Sequence, residues 1–457
     1  MQLQSEPQAL PSNSPSLQFQ LNFLNMPSAF DSHQPPALPL IEQCVHCGFC
    51  LPACPTYALW GEEMDSPRGR IYLMKMALEG ATPLSKNFVS HMDTCLCCVA
   101  CMPACPSGVD YSKLIEATRA QIARNYPRPA AQKLHRHFLF AIFTHPARLQ
   151  FLRGPLLAYT KSGLQSILRA IGLFRLLPKS VAAMDTLLPP VKPIENIPAV
   201  TPAQGEKRRR VGLLLGCVQR TFFSHVNAAT LRVLSAEGCE VVAPPEQTCC
   251  GALCVHAGEE PAALDFARAA INVFEQVQVD TIVINAAGCG SNMKEYAHLL
   301  RNDPVYADRA KTFSAKCRDV SELLAELPPR ATRHPLPARV AFHDSCHLQN
   351  AQRITQQPRA LLAQIPSLVL VEVPEPAICC GSAGIYNLVQ PEAAAQLGAR
   401  KAHHIAALPA DIVATGNPGC ILQLQSSLSR TARPLPVVHS IQLLDASLRA
   451  APLDSLF

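Results

Sequence analysis

The chain has 457 residues, 48% of them hydrophobic, with 20 cysteines and a formal net charge of +6. That is enough apolar material for roughly two to four domain cores. No uninterrupted apolar run reaches the ~20 residues a membrane-crossing helix needs, so any membrane contact is expected to be peripheral. The N-terminus lacks the basic and apolar regions of a secretory signal, so the cysteines read as reduced, metal-binding thiols and not as a disulfide framework. The modest charge argues against nucleic-acid binding.

In chain order, residues 1–40 are rich in Gln, Ser and Pro, hold no Lys or Arg and show no periodicity. They predict a disordered extension, with Met26 as an alternative start. Residues 41–116 are cysteine-rich: CVHCGFCLPACP at 44–55 is followed by CLCCVACMPACP at 95–106. Cys44, Cys47, Cys50 and Cys54 fit C-x2-C-x2-C-x3-C-P, and Cys95, Cys98, Cys101 and Cys105 fit it again, which is the bacterial ferredoxin spacing. Three thiolates of one tight loop cap one 4Fe–4S cluster, and the fourth is carried by the turn at proline to its neighbour. Cys44, Cys47, Cys50 and Cys105 are therefore expected to hold one cluster, and Cys95, Cys98, Cys101 and Cys54 the other. Cys97 is surplus to the pattern. Structural zinc is the alternative, but four tetrahedral ligands give no reason for a triple followed by Cys-Pro. Arg68 and Arg70 lie between the runs. Beside anionic clusters they would favour the reduced state, and surface salt bridging is their other reading.

Residues 117–184 carry eleven Lys or Arg and no Asp or Glu, which asks for an anionic partner. Leu164, Ile167, Leu168 and Ile171 would form one apolar helical stripe, interrupted by Arg175, able to lie on an anionic membrane surface or to dock an acidic subunit. A Pro-rich linker completes the segment 117–205. The remainder is duplicated. RRRVGLLLGC ends at Cys217, CCG occupies 249–251 and TIVINAAGC ends at Cys289; PARVAFHDSC ends at Cys346, CCG occupies 379–381 and DIVATGNPGC ends at Cys420. First cysteine and CCG are 32 and 33 positions apart in the two copies, and the second CCG cysteine and the last are 39 and 40 apart. Short aliphatic runs before these cysteines read as buried parallel strands alternating with helices, with ligands expected at the strands' C-terminal edge. The fold class expected is thus α+β and α/β multidomain: an α-helical dicluster ferredoxin-like module over 41–116, then two repeated α/β CCG domains, 206–335 and 336–457.

Cys217, Cys249, Cys250 and Cys289, and Cys346, Cys379, Cys380 and Cys420, supply four thiols per CCG domain, for a further iron–sulfur cluster or for a redox dithiol. Cys239, Cys254 and Cys317 match no repeated position and read as small apolar residues. His343 and His347 flank Cys346 and read as satisfied histidines beside a strand end, not as ligands. There is no G-x-G-x-x-G after a strand, so a flavin must come from elsewhere.

PTY after the first run, DSPRGRIYLMK between the runs and PSGVDY after the second, with NAATLRVL, AAGCGS, KEYAHLL, YADRA, AFHDSCHLQ, CCGSAG and NPGC in order, closely resemble the iron–sulfur subunit of bacterial glycolate oxidase from about Ile41 to the end. The resemblance implies an FAD-containing partner subunit that oxidises glycolate, with this chain relaying single electrons to a quinone or other acceptor. It implies no catalytic residue here and no activity alone. The implied location is cytoplasmic, peripheral on the inner membrane. Looser relatives suggest the same relay in lactate or glycerol-3-phosphate dehydrogenase complexes. A CCG-type thiol–disulfide reductase and a structural or sensory iron–sulfur protein are the readings from other classes.

Overall fold

Cys54 is the N-cap of the helix Pro55–Trp60, where proline's fixed φ and missing N–H suit the first helical position. The Cys-Pro pair thus ends the first cysteine loop by starting a helix. In this computed structural model, which describes residues 27–457, three longer helices follow: Pro67–Leu78, Lys86–Asp93 and Tyr111–Asn125. Each has a side-chain cap. Ser66 accepts from the Gly69 N–H, Ser85 from Phe88 and Asp110 from Lys113. Their inner faces bury Ile71, Met74, Phe88, Met92, Leu114 and Ile122 in one core.

Of the extension expected over 1–40, the first 26 residues lie outside the described residues, and residues 27–40 pack on this module. Phe30 is buried edge-on against Phe88, and the Asp31 carboxylate accepts from Arg124 at 3.0 Å. One aromatic anchor and one acid in a polar stretch escape a compositional reading. The module also runs past residue 116, because its last helix continues to Asn125 and carries Arg119 and Arg124 with it.

The basic segment forms the helices Ala130–Phe143, Pro146–Lys161, Leu164–Ala170 and Lys179–Thr186. Four of the eleven basic side chains expected to await an external partner are paired within the chain by acids outside 117–184. Arg124 pairs with Asp31 and Glu260, Arg128 with Asp93 at 2.7 Å, Arg169 with Asp185 at 2.7 Å, and Lys179 with Glu392. Charge counted within a segment cannot see partners brought in by folding. The apolar stripe does form, and Leu164, Ile167 and Ile171 face solvent.

The first α/β layer is a sheet of β1 (Val200–Thr201), β2 (Arg209–Leu213), β3 (Cys239–Val242), β4 (Thr281–Ile284) and β5 (Cys317–Asp319) in the order β1-β3-β2-β4-β5. All pairs are parallel except β1 with β3, which draws the end of the Pro-rich linker into the domain. The second sheet, of β6 (Ala338–Phe342), β7 (Leu368–Glu372), β8 (Ile412–Thr415) and β9 (Val437–His439), has the order β7-β6-β8-β9 and is all parallel. The two orders superpose: the first strand of each copy pairs with the second on one side and the third on the other. That reversal is a topological switch point, where open α/β sheets take ligands. The halves meet through the helices Ser224–Ala236 and Ser440–Leu448, tied by Arg232 to Asp445 at 2.8 Å, and through the Ala287 N–H on the Gly416 carbonyl at 3.1 Å. Among the described residues no helix is long and apolar enough to cross a membrane.

Candidate metal centres

The two ferredoxin-type loops share a backbone trace. His46 and Gly48 in the first, and Cys97 and Val99 at the same positions of the second, all have positive φ, between 48° and 87°. A β-branched residue is strained there, so Val99 marks a conformation imposed by the surroundings. Left-handed residues at alternate positions turn successive N–H groups inward and make an anion-binding concavity. One cavity is bordered by Cys44, Cys47, Cys50 and Cys105; a second is bordered by Cys54, Cys95 and Cys98, with Cys101 at the edge of both. The chain reversal therefore brings the fourth cysteine of each run to the other run's cavity.

All twenty cysteines are free thiols. Burial pushes Cys50 up to about 11 and holds Cys98 and Cys101 well above the ordinary thiol range, while contact with Cys97 and the charges of Arg70 and Arg119 hold Cys95 well below it. The raised groups cannot ionise together without a cation among them. Grouped thiols, an N–H cradle and suppressed ionisation fit an iron–sulfur cluster in each cavity.

Three arginines surround the loops. Arg68 donates to the His46 carbonyl at 3.0 Å and pairs with Glu63 at 2.6 Å, bracing the first loop from a partly exposed position. Arg70 is 1% exposed, pairs with Asp65 at 3.1 Å and donates to Thr56, Thr94 and the His91 carbonyl beside the second cavity. Its surface reading does not hold. Arg119, which nothing in the sequence set apart, donates to the Cys97 thiol at 2.9 Å and to the carbonyls of Cys95 and His256, both at 2.5 Å. The surplus cysteine is thus a contact of a largely buried guanidinium.

In each CCG domain the cysteines lie beyond the C-terminal ends of the parallel strands. Cys217 follows β2, the CCG pair follows β3, and Cys289 sits in the first turn of the helix Ala287–Lys294 after β4. The second domain repeats this, with Cys420 in the first turn of Pro418–Leu428. The glycine of CCG is dictated by geometry: Gly251 and Gly381 have φ of 81° and 92°, and a Cβ on Gly381 would fall 2.6 Å from the Ala394 carbonyl oxygen. The turn aims the Gly251 N–H at the Cys249 sulfur at 3.4 Å and the Gly381 N–H at Cys379 at 3.5 Å.

One difference between the domains bears on the site. Three residues before its first cysteine the second domain has His343, where the first has Leu214. His343 is buried, and its ring, Cys380 and Cys420 place their ligand atoms within 4.8 Å of one another; Cys346 and Cys379 sulfurs are 4.0 Å apart. The geometry therefore offers His343 as a ligand, contrary to the sequence expectation. The signal was its break with the repeat. His347 is satisfied at one nitrogen only: its Nε2 meets the Cys97 carbonyl oxygen at 2.9 Å, while its Nδ1 is buried without a partner. Cys239, Cys254 and Cys317 are buried, and burial raises each thiol to between about 11 and 12.

Thiol groupings of this kind support single-electron chemistry, so fold and sites together define an iron–sulfur redox protein with a dicluster ferredoxin module. Family comparison agrees with that division: residues 40–109 match the 4Fe-4S dicluster domain, 211–294 and 340–425 the cysteine-rich CCG domain, and 131–188 the linker region of the glycolate oxidase iron–sulfur subunit. The chain belongs to the family of glycolate oxidase iron–sulfur subunits. It is 38% identical over 415 residues to a protein of Bacillus subtilis (strain 168) described as a probable glycolate oxidase iron–sulfur subunit, covering 89% of this chain and 93% of that one. It is 35% identical over 412 residues to the glycolate oxidase iron–sulfur subunit of Escherichia coli (strain K12), covering 90% and 94%. Lactate utilization protein A of Exiguobacterium sp. is 28% identical over 242 residues, 53% of this chain and 99% of that one.

Proposed function

We propose that this chain is the electron-relay subunit of a complex that oxidises glycolate or a related 2-hydroxy acid, with the flavin on a partner subunit and a quinone or other acceptor at the far end. The observation that carries this is the exchange of fourth cysteines, which groups Cys44, Cys47, Cys50 and Cys105 apart from Cys54, Cys95, Cys98 and Cys101 and suits two 4Fe–4S clusters. Each cluster, when bound, supplies a one-electron redox couple. The protein's part is to place and bias it. Left-handed residues in both loops aim N–H groups inward, and Arg68, Arg70 and Arg119 put positive charge beside the thiolates, which favours the reduced state.

The first loop is the face we assign to the flavoprotein. Cys47 is exposed, and Val45 and Phe49, on either side of it, are 67% and 68% exposed. Large apolar side chains beside a redox centre suit a docking patch. Peripheral contact with the cytoplasmic face of the inner membrane falls to the exposed apolar residues of 130–181. The lactate reading is weaker, since that relative matches about half of this chain while the glycolate oxidase subunits match nearly all of it. For the CCG cysteines, His343 beside Cys380 and Cys420 favours a further metal centre over a dithiol in the second domain.

Iron, zinc and flavin analysis of the anaerobically purified chain, alone and with its partner, tests the proposal. Iron in the chain alone, flavin only in the complex, and glycolate oxidation by the complex alone are expected. Zinc in place of iron, or glycolate oxidation by the isolated chain, would sink it.

A further inference from the structure

Between the linker, the second cysteine loop and both CCG domains lies a cavity of about 690 Å³, within the usual range for small-molecule sites. Cys95 and Leu96 line it, so it abuts the loop assigned to the buried centre. Leu253, Ile385 and Leu388 give it an apolar wall, and Val181 stands partly exposed at its rim. Three polar atoms of lining residues are buried with no hydrogen-bond partner in the protein: His135 Nε2, His256 Nδ1 and Arg119 Nε. Native proteins leave few such atoms unpaired, and here three belong to residues that line one space.

Charge does not explain this cavity. Arg128 is held by Asp93, Lys179 by Glu392, Arg136 by the Ala257 carbonyl, and both terminal nitrogens of Arg119 by carbonyls and the Cys97 sulfur. The cationic ends that would grip a carboxylate or phosphate are occupied, and what remains unpartnered are two imidazole nitrogens of residues that line the cavity together with the apolar wall. A flat, apolar ring whose only polar atoms are hydrogen-bond acceptors fits that pattern.

We propose that this cavity binds the ring of a quinone, with His135 and His256 donating to its carbonyl oxygens and Leu253, Ile385 and Leu388 against its face. The assignment rests on the relay reading above and gives its acceptor a place. Burial, reinforced by His347 and Arg119, keeps His256 far below the ordinary imidazole range, so it meets the ring as a neutral group. Reduction to the hydroquinone takes two electrons, delivered singly by the relay from the partner's reduced flavin, and two protons drawn from solvent at the rim. On the helix that carries His135, Leu134 and Phe138 are 71% and 52% exposed, an apolar surface for the quinone's tail.

Calorimetric titration of the iron-loaded chain with a short-chain ubiquinone analogue is expected to show one saturable site. His135→Leu removes a donor, and Val181→Trp fills the rim without entering a packed core. Each is expected to weaken the Kd by about tenfold or more, with iron content and the cluster EPR signal unchanged. Wild-type affinity in either variant, or no saturable binding by the wild-type chain, overturns the assignment. Failure of the relay reading looks different: a dithionite-reduced chain would then not be reoxidised by ferricyanide. A chain that ferricyanide reoxidises but that binds no quinone refutes the pocket alone.

Discussion

In the first cysteine loop Cys47 is exposed and Val45 and Phe49 stand in solvent, whereas in the second Cys95, Cys97, Cys98 and Cys101 are all buried and Leu96 and Val99 with them. Spacing and left-handed positions are the same in both. What differs is the company. The second loop is gripped by other domains: His347 Nε2 lies 2.9 Å from the Cys97 carbonyl oxygen, Asn350 donates to that of Cys98 at 3.1 Å, and Tyr386 donates to that of Thr94 at 3.0 Å. Loop sequence thus sets which thiols gather, and the domains packed around a loop set whether its centre faces a partner or the interior.

The contrast is broken most severely through the exchanged ligands. Cys54→Ser is expected to abolish the buried centre built on Cys95, Cys98 and Cys101, leaving about half of the ferredoxin-module iron and one EPR signal. Cys105→Ser should remove the exposed centre and spare the other. If Cys54→Ser instead depleted the centre of Cys44, Cys47 and Cys50, each run would hold its own cluster and the exchange would be wrong.

The arginines sharpen the same comparison. Arg70→Ala leaves the buried Asp65 carboxylate to Thr94 and His91 alone, a loss of about 3 kcal/mol, the low end for breaking a buried pair. Arg68→Ala removes a partly exposed pair with Glu63 worth roughly 0–1 kcal/mol, apart from its bond to the first loop. Thermal melts of the iron-loaded variants should rank them in that order by a wide margin. Equal losses would mean that the two loops are equally solvated.

At the exposed loop the effect should appear in binding and not in folding. Phe49→Glu is expected to weaken the flavoprotein's affinity by about tenfold or more, in the range of an interface anchor, while iron content stays at wild type. Unchanged affinity would place the partner on another face.

Much of this was legible in the sequence. The cysteine spacings and the prolines that end them imply the two loops and the exchange between them, and the duplicated landmarks imply parallel strands with cysteines beyond their C-terminal ends. Three things were not legible, each depending on contacts distant in sequence. Arg119 looks like one basic residue among eleven until the fold lays its helix against the second loop. The basic segment looks unmatched until Asp31, Asp93, Glu260 and Glu392 arrive from elsewhere. His343 looks like an ordinary strand-end histidine until the CCG turn brings Cys380 beside it. The repeat held a clue to the last, since Leu214 occupies the equivalent position.

A pH-dependent effect concerns Glu116, on the helix beneath the buried loop. It shares a cavity with Cys97, Val99 and Met102 and has no counterpart at the exposed loop. Burial, with the carboxylates of Glu295 and Asp110 nearby, raises its pKa from the ordinary 4.5 to about 8, against the opposing pull of Arg119 and Lys113. Between those values the folded chain keeps a proton that the unfolded chain releases. Its contribution to stability is therefore fully present below about pH 4.5 and is lost as the pH rises through about 8. The loss should be on the order of 1–3 kcal/mol, reduced because the side chain is not wholly shielded from solvent. Glu116→Gln carries no such proton, so its melting temperature should fall less than that of the wild type between pH 5 and 8, with the two curves converging at the acid end. Parallel curves across that window would show that Glu116 is as well solvated as the exposed loop, and that burial of the second loop does not extend to the helix beneath it.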